Sequence, residues 1–246
     1  TLLTACTQAS SQSATKSNTA QTTATSTSKN KTNNSTYFTD KDKDTSYDES
    51  KASTVKLSGS SASVSGDGIA VSGSTVTISK AGTYVISGES DGVQIKVEAG
   101  DSDDVHIVLK GVTMTNTNAP ISATKAGHVY LTLADGTTNT LSDSSSNNDE
   151  DADAVIFSKG DLTINGSGAL NIDAKKNNGI KANDTLHITG GTYKITAVGD
   201  AFNVNDELNI TGTTMTIDAD EDAVKVDNDD DTSVGTMYLS DNKMTI

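Results

Sequence analysis

The sequence predicts an all-β protein: a right-handed parallel β-helix, a solenoid with three short strands per coil, closed on its N-terminal side by an irregular β cap. Three observations predict it. One short pattern is written four times between Asp153 and the C-terminus, apolar residues within each copy fall at every second position, and glycines recur at fixed places between the segments. The copies open with Asp153-Ala-Val-Ile-Phe, Asn178-Gly-Ile-Lys-Ala, Asp200-Ala-Phe-Asn-Val and Asp222-Ala-Val-Lys-Val, so that the leading Asp or Asn recurs after 25, 22 and 22 residues. A period of this length is the mark of a solenoid.

Each opening is followed by a second segment (Leu162-Thr-Ile164, Leu186-His-Ile188, Leu208-Asn-Ile210, Met237-Tyr-Leu239) and a third (Leu170-Asn-Ile172, Tyr193-Lys-Ile195, Met215-Thr-Ile217, Met244-Thr-Ile246). Alternation with period two describes half-buried strands. Gly166, Gly168, Gly190, Gly191 and Gly212 fall between the second and third segments, where a corner needs positive φ or room for a tight bend. The expected inward set is Val155, Phe157, Leu162, Ile164, Leu170 and Ile172 for one coil, then Ile180, Ala182, Leu186, Ile188, Tyr193 and Ile195 for the next. Each coil must bury this set on its neighbours, which calls for parallel stacking at about 4.8 Å per rung. The right hand follows from the bias of parallel crossovers. A leucine-rich horseshoe shares the period, but no repeat here carries its consensus or a helical segment.

Residues 52–246 make the β-helix. Val55-Lys-Leu57, Val76-Thr-Ile78, Tyr84-Val-Ile86 and Val93-Gln-Ile95 lack a clean period and are assigned to the cap, because an open coil end exposes a sheet edge. Residues 7–51, rich in Ser, Thr, Asn and Lys, bury too little to offset their ordering entropy and are expected to form a disordered linker. Residues 1–6 contain Leu2-Leu3-Thr4-Ala5-Cys6, which resembles the end of a bacterial lipoprotein signal. That likeness implies a secreted protein acylated at Cys6 and held at the bacterial cell surface.

Composition excludes several functions. A formal charge of −15 leaves no basic footprint for nucleic acid. All 18 basic residues are lysine, so bidentate guanidinium recognition is absent, and the single cysteine permits neither an internal disulfide nor a thiolate metal cluster. The three histidines, His106, His128 and His187, fall on different coils without a repeated partner, and His187 is expected to be a solvated outward residue. No serine sits in a nucleophile elbow.

Regular coils turn sequence columns into spatial ones. One corner column holds Asp153, Asn178, Asp200, Asp220 and Asp222, a second Asp173, Thr196 and Asp218, and a third Asp161, Asp184 and Asp206. Carboxylates stacked a rung apart raise one another's pKa unless a cation lies between them. Ca²⁺ takes about six to eight oxygen ligands, which makes Asp153, Asp173, Asp200, Asp218, Asp220 and Asp222 candidate calcium ligands. The alternative is that these residues are turn formers whose side chains bond the backbone and stack as polar ladders.

The stretches Asp-Ala-Val-Ile-Phe-Ser-Lys-Gly-Asp-Leu-Thr-Ile-Asn-Gly-Ser-Gly (153 to 168) and Leu-Thr-Leu-Ala-Asp-Gly-Thr-Thr-Asn-Thr-Leu (131 to 141) resemble a family of bacterial surface carbohydrate-binding β-helix proteins. That resemblance implies a pectate-lyase-like fold, Ca²⁺, and cellulosic or acidic plant polysaccharide as partner. The family's Asp-Asp-Gly-Ile corner is matched loosely: Asn177-Asn178-Gly179-Ile180 has amides for both acids, while Glu221-Asp222-Ala223-Val224 keeps both. Relatives that cleave polyuronate use an arginine or a lysine as base, and only Lys181 and Lys225 stand at equivalent stacked positions. A lysine base needs its pKa lowered, against the pull of neighbouring carboxylates. The reading is therefore a non-catalytic, monomeric binding protein with Lys181, Asn203 and Lys225 on the carbohydrate, and Ca²⁺ bridging protein and sugar carboxylates. Its rivals are a structural surface spacer and a polysaccharide lyase.

Overall fold

The computed structural model describes residues 36–246, together with the backbone of Thr23–Thr25. The chain is all-β, and among the described residues the one helical element is a single turn at Lys41–Lys43. From residue 138 onward every strand pairs in parallel with the strand three positions earlier in the chain, which produces three columns.

The first column is β10 (His128–Leu133), β13 (Leu162–Gly166), β16 (Thr185–Thr189), β19 (Glu207–Thr211) and β22 (Thr236–Ser240). The second is β11 (Thr138–Ser142), β14 (Ala169–Ala174), β17 (Thr192–Ala197), β20 (Thr214–Ala219) and β23 (Lys243–Thr245). The third is β9 (Ile121–Lys125), β12 (Ala154–Ser158), β15 (Asn178–Ala182), β18 (Phe202–Val204) and β21 (Lys225–Val226). The twelve-residue strand β8 (Asp104–Thr115) starts both of the first two columns. Its leading half pairs with β10 and its end with β11, and Gly111, at φ 71, lies between the two.

Like lies over like in the core. Leu162, Leu186, Leu208 and Met237 are paired in order, as are Ile164, Ile188, Ile210 and Leu239, and Ile172, Ile195 and Ile217. All but Met237 and Leu239, on the last strand of the first column, are buried in one continuous cluster. At the N-terminal side the pairing changes character. β2 (Ser53–Gly59) and β3 (Ser61–Ser65) form an antiparallel hairpin, as do β4 (Ile69–Ser72) and β5 (Thr75–Ile78), while β6 (Gly82–Asp91) and β7 (Gln94–Glu98) join the parallel columns.

Two expectations need correction. The Asp153 copy is displaced by one residue: Ala154 pairs with Asn178, Ile156 with Ile180 and Phe157 with Lys181. A slip of one reverses the faces of a strand. Ile156 therefore fills the inward column between Ile121 and Ile180, Val155 remains in the core, and Phe157 buries in a separate cluster with Ala119 and Ala152. The second correction concerns the linker. Residues 36–51 lie as a strap on the outer face of the first column, with Phe38 and Asp42 buried. An average over the polar segment hides these two side chains, which find partners on the sheet.

Gly166, at φ 104, ends β13, and a Cβ there would strike the carbonyl oxygen and amide nitrogen of Leu133 in the rung below. Gly166→Ala is expected to lower stability by about 2–3 kcal/mol. Gly111→Ala, also at positive φ but with no atom within 4 Å of the new Cβ, should lose only about 1 kcal/mol. Urea midpoints at unchanged m-value compare the two, and equal losses would show that the rung contact is immaterial.

Candidate carbohydrate-binding surfaces

Three outward surfaces carry the polar chemistry. The first lies on the first column, where the residues between the inward Val, Leu and Ile positions pair in the order His106, Tyr130, Thr163, His187, Asn209 and Tyr238. The strap runs over it. Thr163 Oγ1 donates to Asp42 Oδ1 at 2.6 Å, and His187 Nδ1 stands 3.2 Å from Asp42 Oδ2. Asn165 Nδ2 donates to the carbonyls of Asp42 and Asp44 at 3.1 Å each, Thr189 Oγ1 to the carbonyl of Asp42 at 2.8 Å, and Asn209 Nδ2 to that of Tyr37 at 3.0 Å. Tyr37 stacks on Tyr238 with ring centres 3.7 Å apart, and Phe38 meets His187 edge to face.

A relay backs the carboxylate. Thr163 gives its proton to Asp42, so at 2.8 Å it must accept one from His128 Nε2. His106 stands in the same relation to Thr132, which donates to Asn165. Burial pushes the pKa of both His106 and His128 down, against the pull of nearby carboxylates, so both are neutral at physiological pH. His187 behaves oppposite: burial opposes its charge, but Asp42 at one nitrogen and Glu207 at the other, 3.4 Å away, outweigh that and raise its pKa. Burial likewise opposes the charge of Asp42, yet hydrogen bonds from His187, Thr163 and Thr39 hold its carboxyl far below the usual range. The expectation that His187 is solvated is thus overturned, and His106 and His128, expected to have no repeated partner, each bond a threonine. Nothing in the repeat pattern pairs His187 with Asp42, which lies 145 residues earlier in the chain.

The second surface is on the third column, where Lys181, Asn203 and Lys225 occupy successive paired positions. Lys181 Nζ is 2.7 Å from Asp153 Oδ1, Asn203 Nδ2 donates to Asp200 Oδ2 at 2.7 Å, and Lys225 lies 3.7 Å from Asp227. The third surface, on the second column, is an open groove lined by Thr140, Asn171, Asp173, Lys194 and Thr196. Its Asn171 and Lys194 are the outward residues of the third segments in adjacent copies, a position that the sequence reading passed over.

The candidate calcium ligands do not converge. Asp153 stands one position off the corner column, and its oxygens accept from Lys181, Asn177 and Asn178. At the corner itself Asn178 Oδ1 accepts the amide of Asp200 at 3.2 Å, and Asp200 Oδ1 that of Asp222 at 3.0 Å. This is the polar ladder of a turn former. Asp173 and Asp218 are separated by Thr196, and Asp173 faces Lys175 at 3.6 Å. Asp218, Asp220 and Asp222 are exposed. Among the described residues no three His, Cys, Asp or Glu side chains form a metal-holding group. The Asp161, Asp184, Asp206 column does couple: burial, then the charges of Asp161 and Asp206, raise the pKa of Asp184.

A family model described as carbohydrate-binding domain-containing protein matches residues 72–246. This chain belongs to that family. A carbohydrate-binding domain-containing protein of Acetivibrio thermocellus is 38% identical over 126 residues, covering 49% of this chain and 44% of the relative, so the chain spans less than half the length of the relative it matches. Among solved structures, the gadolinium derivative of a polysaccharide lyase-like protein from C. thermocellum superposes with a TM-score of 0.76 at 32% identity, covering 78% of this chain and 81% of that one. The family match begins at residue 72, beyond the strap. Cys6 lies outside the described residues.

The Asp42–His187 pair gives the strap a pH signature. His187 has its folded pKa above the usual value, so its contribution is complete below about pH 6.5 and fades as pH rises through the raised value. Asp42 has its folded pKa below the usual value, so its contribution is present above about pH 3.9 and fades as pH falls through the lowered value. Glu207 and neutral His128 are the other titratable groups facing the pair. The stability difference between the protein and Asp42→Asn should therefore be largest between about pH 4 and 6.5 and shrink at alkaline pH. Denaturant titrations across that range measure it, and a difference that grows with pH contradicts the assignment.

Proposed function

We propose that this chain is a non-catalytic carbohydrate-binding protein, built as a right-handed parallel β-helix and held at the bacterial cell surface through lipidated Cys6. The pairing of every third strand and the likeness to a polysaccharide lyase-like protein support the β-helix. Membership of a carbohydrate-binding family supports the ligand class. One observation carries the seat: Lys181, Asn203 and Lys225 recur at adjacent rungs of one sheet face. Rungs about 4.8 Å apart present ammonium and amide donors in a row, an arrangement suited to the repeated hydroxyls and carboxylates of an acidic polysaccharide. Lys181 is not arranged as a general base, because Asp153 holds its ammonium at 2.7 Å and a base must be deprotonated.

Calcium, implied by the family resemblance, does not fit as a resident ion, because the carboxylates of Asp153 and Asp200 already serve as acceptors for neighbouring rungs. It enters the proposal only as an ion shared between exposed Asp218, Asp220 or Asp222 and a sugar carboxylate. A protein of charge −15 meets an anionic polymer against long-range repulsion, which such an ion offsets.

Retention on polygalacturonate and on cellulose tests the reading. Polygalacturonate should retain the protein without releasing unsaturated product, and Lys181→Ala/Lys225→Ala should weaken retention at least tenfold, given about 1.5–3 kcal/mol for a hydrogen bond to a charged group. A chelator that leaves retention unchanged removes the shared ion. Failure to bind any glycan leaves a surface spacer. Metabolic labelling with a fatty-acid analogue, lost in Cys6→Ser, tests the anchor.

A further inference from the structure

The strap does more than cover a sheet. Four donor groups of the outer face, on Thr163, Asn165, Thr189 and Asn209, end on acceptors of residues 37 to 44, and His187 Nδ1 stands 3.2 Å from the Asp42 carboxylate among them. The focus of that array is a carboxylate. Asp42 is 2% exposed and sits between Thr163 and His187, with His128 relaying a proton to Thr163 from behind. A site that holds a carboxylate with an imidazole and a hydroxyl, and holds three carbonyls with amides alongside, has the chemistry to hold the carboxylate and hydroxyls of a uronic acid.

The aromatic residues point to the same face. Of six tyrosines and three phenylalanines, Tyr84, Tyr193 and Phe202 lie in the core and Phe157 in its satellite cluster. The other five, Tyr37, Phe38, Tyr47, Tyr130 and Tyr238, all meet at the strap. Between Lys41, Asp44 and Ser46 of the strap and Thr83, His106 and Tyr130 of the face, a cavity of about 210 Å³ remains open. The strap is bound to the face mainly by polar contacts and rings; its apolar share is the buried Phe38 and Tyr47, which packs on the small cluster of Val85, Val108 and Ala134 rather than on the main core.

We propose that the strap is a displaceable internal ligand: the face it covers is a second carbohydrate seat, for a uronate, whose carboxylate takes the place of Asp42 between Thr163 and His187. This rests on the carbohydrate-binding reading but not on the Lys181, Asn203 and Lys225 column. The strap then sets the apparent affinity, because a ligand binds only the fraction of molecules in which the strap is lifted.

The experiment uses the full chain in a Lys181→Ala/Lys225→Ala background, which silences the other seat. Oligogalacturonate should bind the Asp42→Ala form about tenfold tighter than the form with Asp42 in place, by calorimetry. Adding His187→Ala should abolish the gain, and a neutral cello-oligosaccharide should show none. In the unaltered protein, saturating oligogalacturonate should speed tryptic cleavage after Lys41 and Lys43 in the strap, mapped by mass spectrometry. Should Asp42→Ala fail to fold, Asp42→Asn and the cleavage assay carry the test. Unchanged or weaker binding on removing Asp42, together with unchanged cleavage, overturns the proposal. So does an equal gain for the neutral sugar. Because the column seat is judged by the loss of retention in Lys181→Ala/Lys225→Ala and the strap seat by the gain on removing Asp42 in that background, either seat can fail alone.

Discussion

The register between rungs is the constraint on which the rest depends. Inward Ile, Leu and Val columns and the backbone hydrogen bonds between parallel strands must both be satisfied at once, and only one alignment of each strand does so. That alignment then decides every outward column as a by-product. Lys181 lies beside Asn203 because Ile180 lies beside Phe202, and His187 lies beside Thr163 because Ile188 lies beside Ile164. A polar surface of this kind is specified from beneath, by residues that never touch solvent.

This also explains what the sequence disclosed. Strands two and three of the first three copies were legible to the residue, since a strict apolar alternation flanked by glycine admits one reading; in the fourth, Met237, Leu239 and Ile246 keep the alternation but stay exposed. The first strand of the Asp153 copy was not. Ala154-Val-Ile-Phe is apolar at four successive positions, so alternation is lost and the face is decided by tertiary packing, with Phe157 drawn to Ala119 and Ala152 instead of the core. The strap was illegible for a different reason. Its hold depends on Phe38 and Asp42 meeting partners far along the chain, and no local pattern or composition average encodes such a meeting.

The acidic corners show how one residue type serves opposite ends. Asp and Asn bond backbone groups readily, and in a stacked coil the nearest free amide belongs to the next rung. Asn178 and Asp200 both accept such an amide, so Asn and Asp are interchangeable there and the charge itself is incidental. Where acids stack around Asp184, burial and then the charges of Asp161 and Asp206 raise its pKa. At the corner of Asn178 and Asp200 the acid is thus turn chemistry, and the column whose carboxylates raise one another's pKa is a different one.

The Asp42–His187 contact carries the same lesson into energetics. Burying two charges costs about as much as their attraction returns, so such a pair is weak evidence for net stability. Attachment of the strap must come mainly from the Tyr37–Tyr238 stack, the burial of Phe38 and the neutral hydrogen bonds to its carbonyls. What the pair supplies is position: a carboxylate seated one residue away would leave both His187 and Asp42 buried without a counter-charge, a loss far larger than the pair's net gain. A face that discriminates so sharply against a misplaced carboxylate, while binding a well-placed one at little net gain, has the energetic balance that exchange between an internal and an external ligand requires.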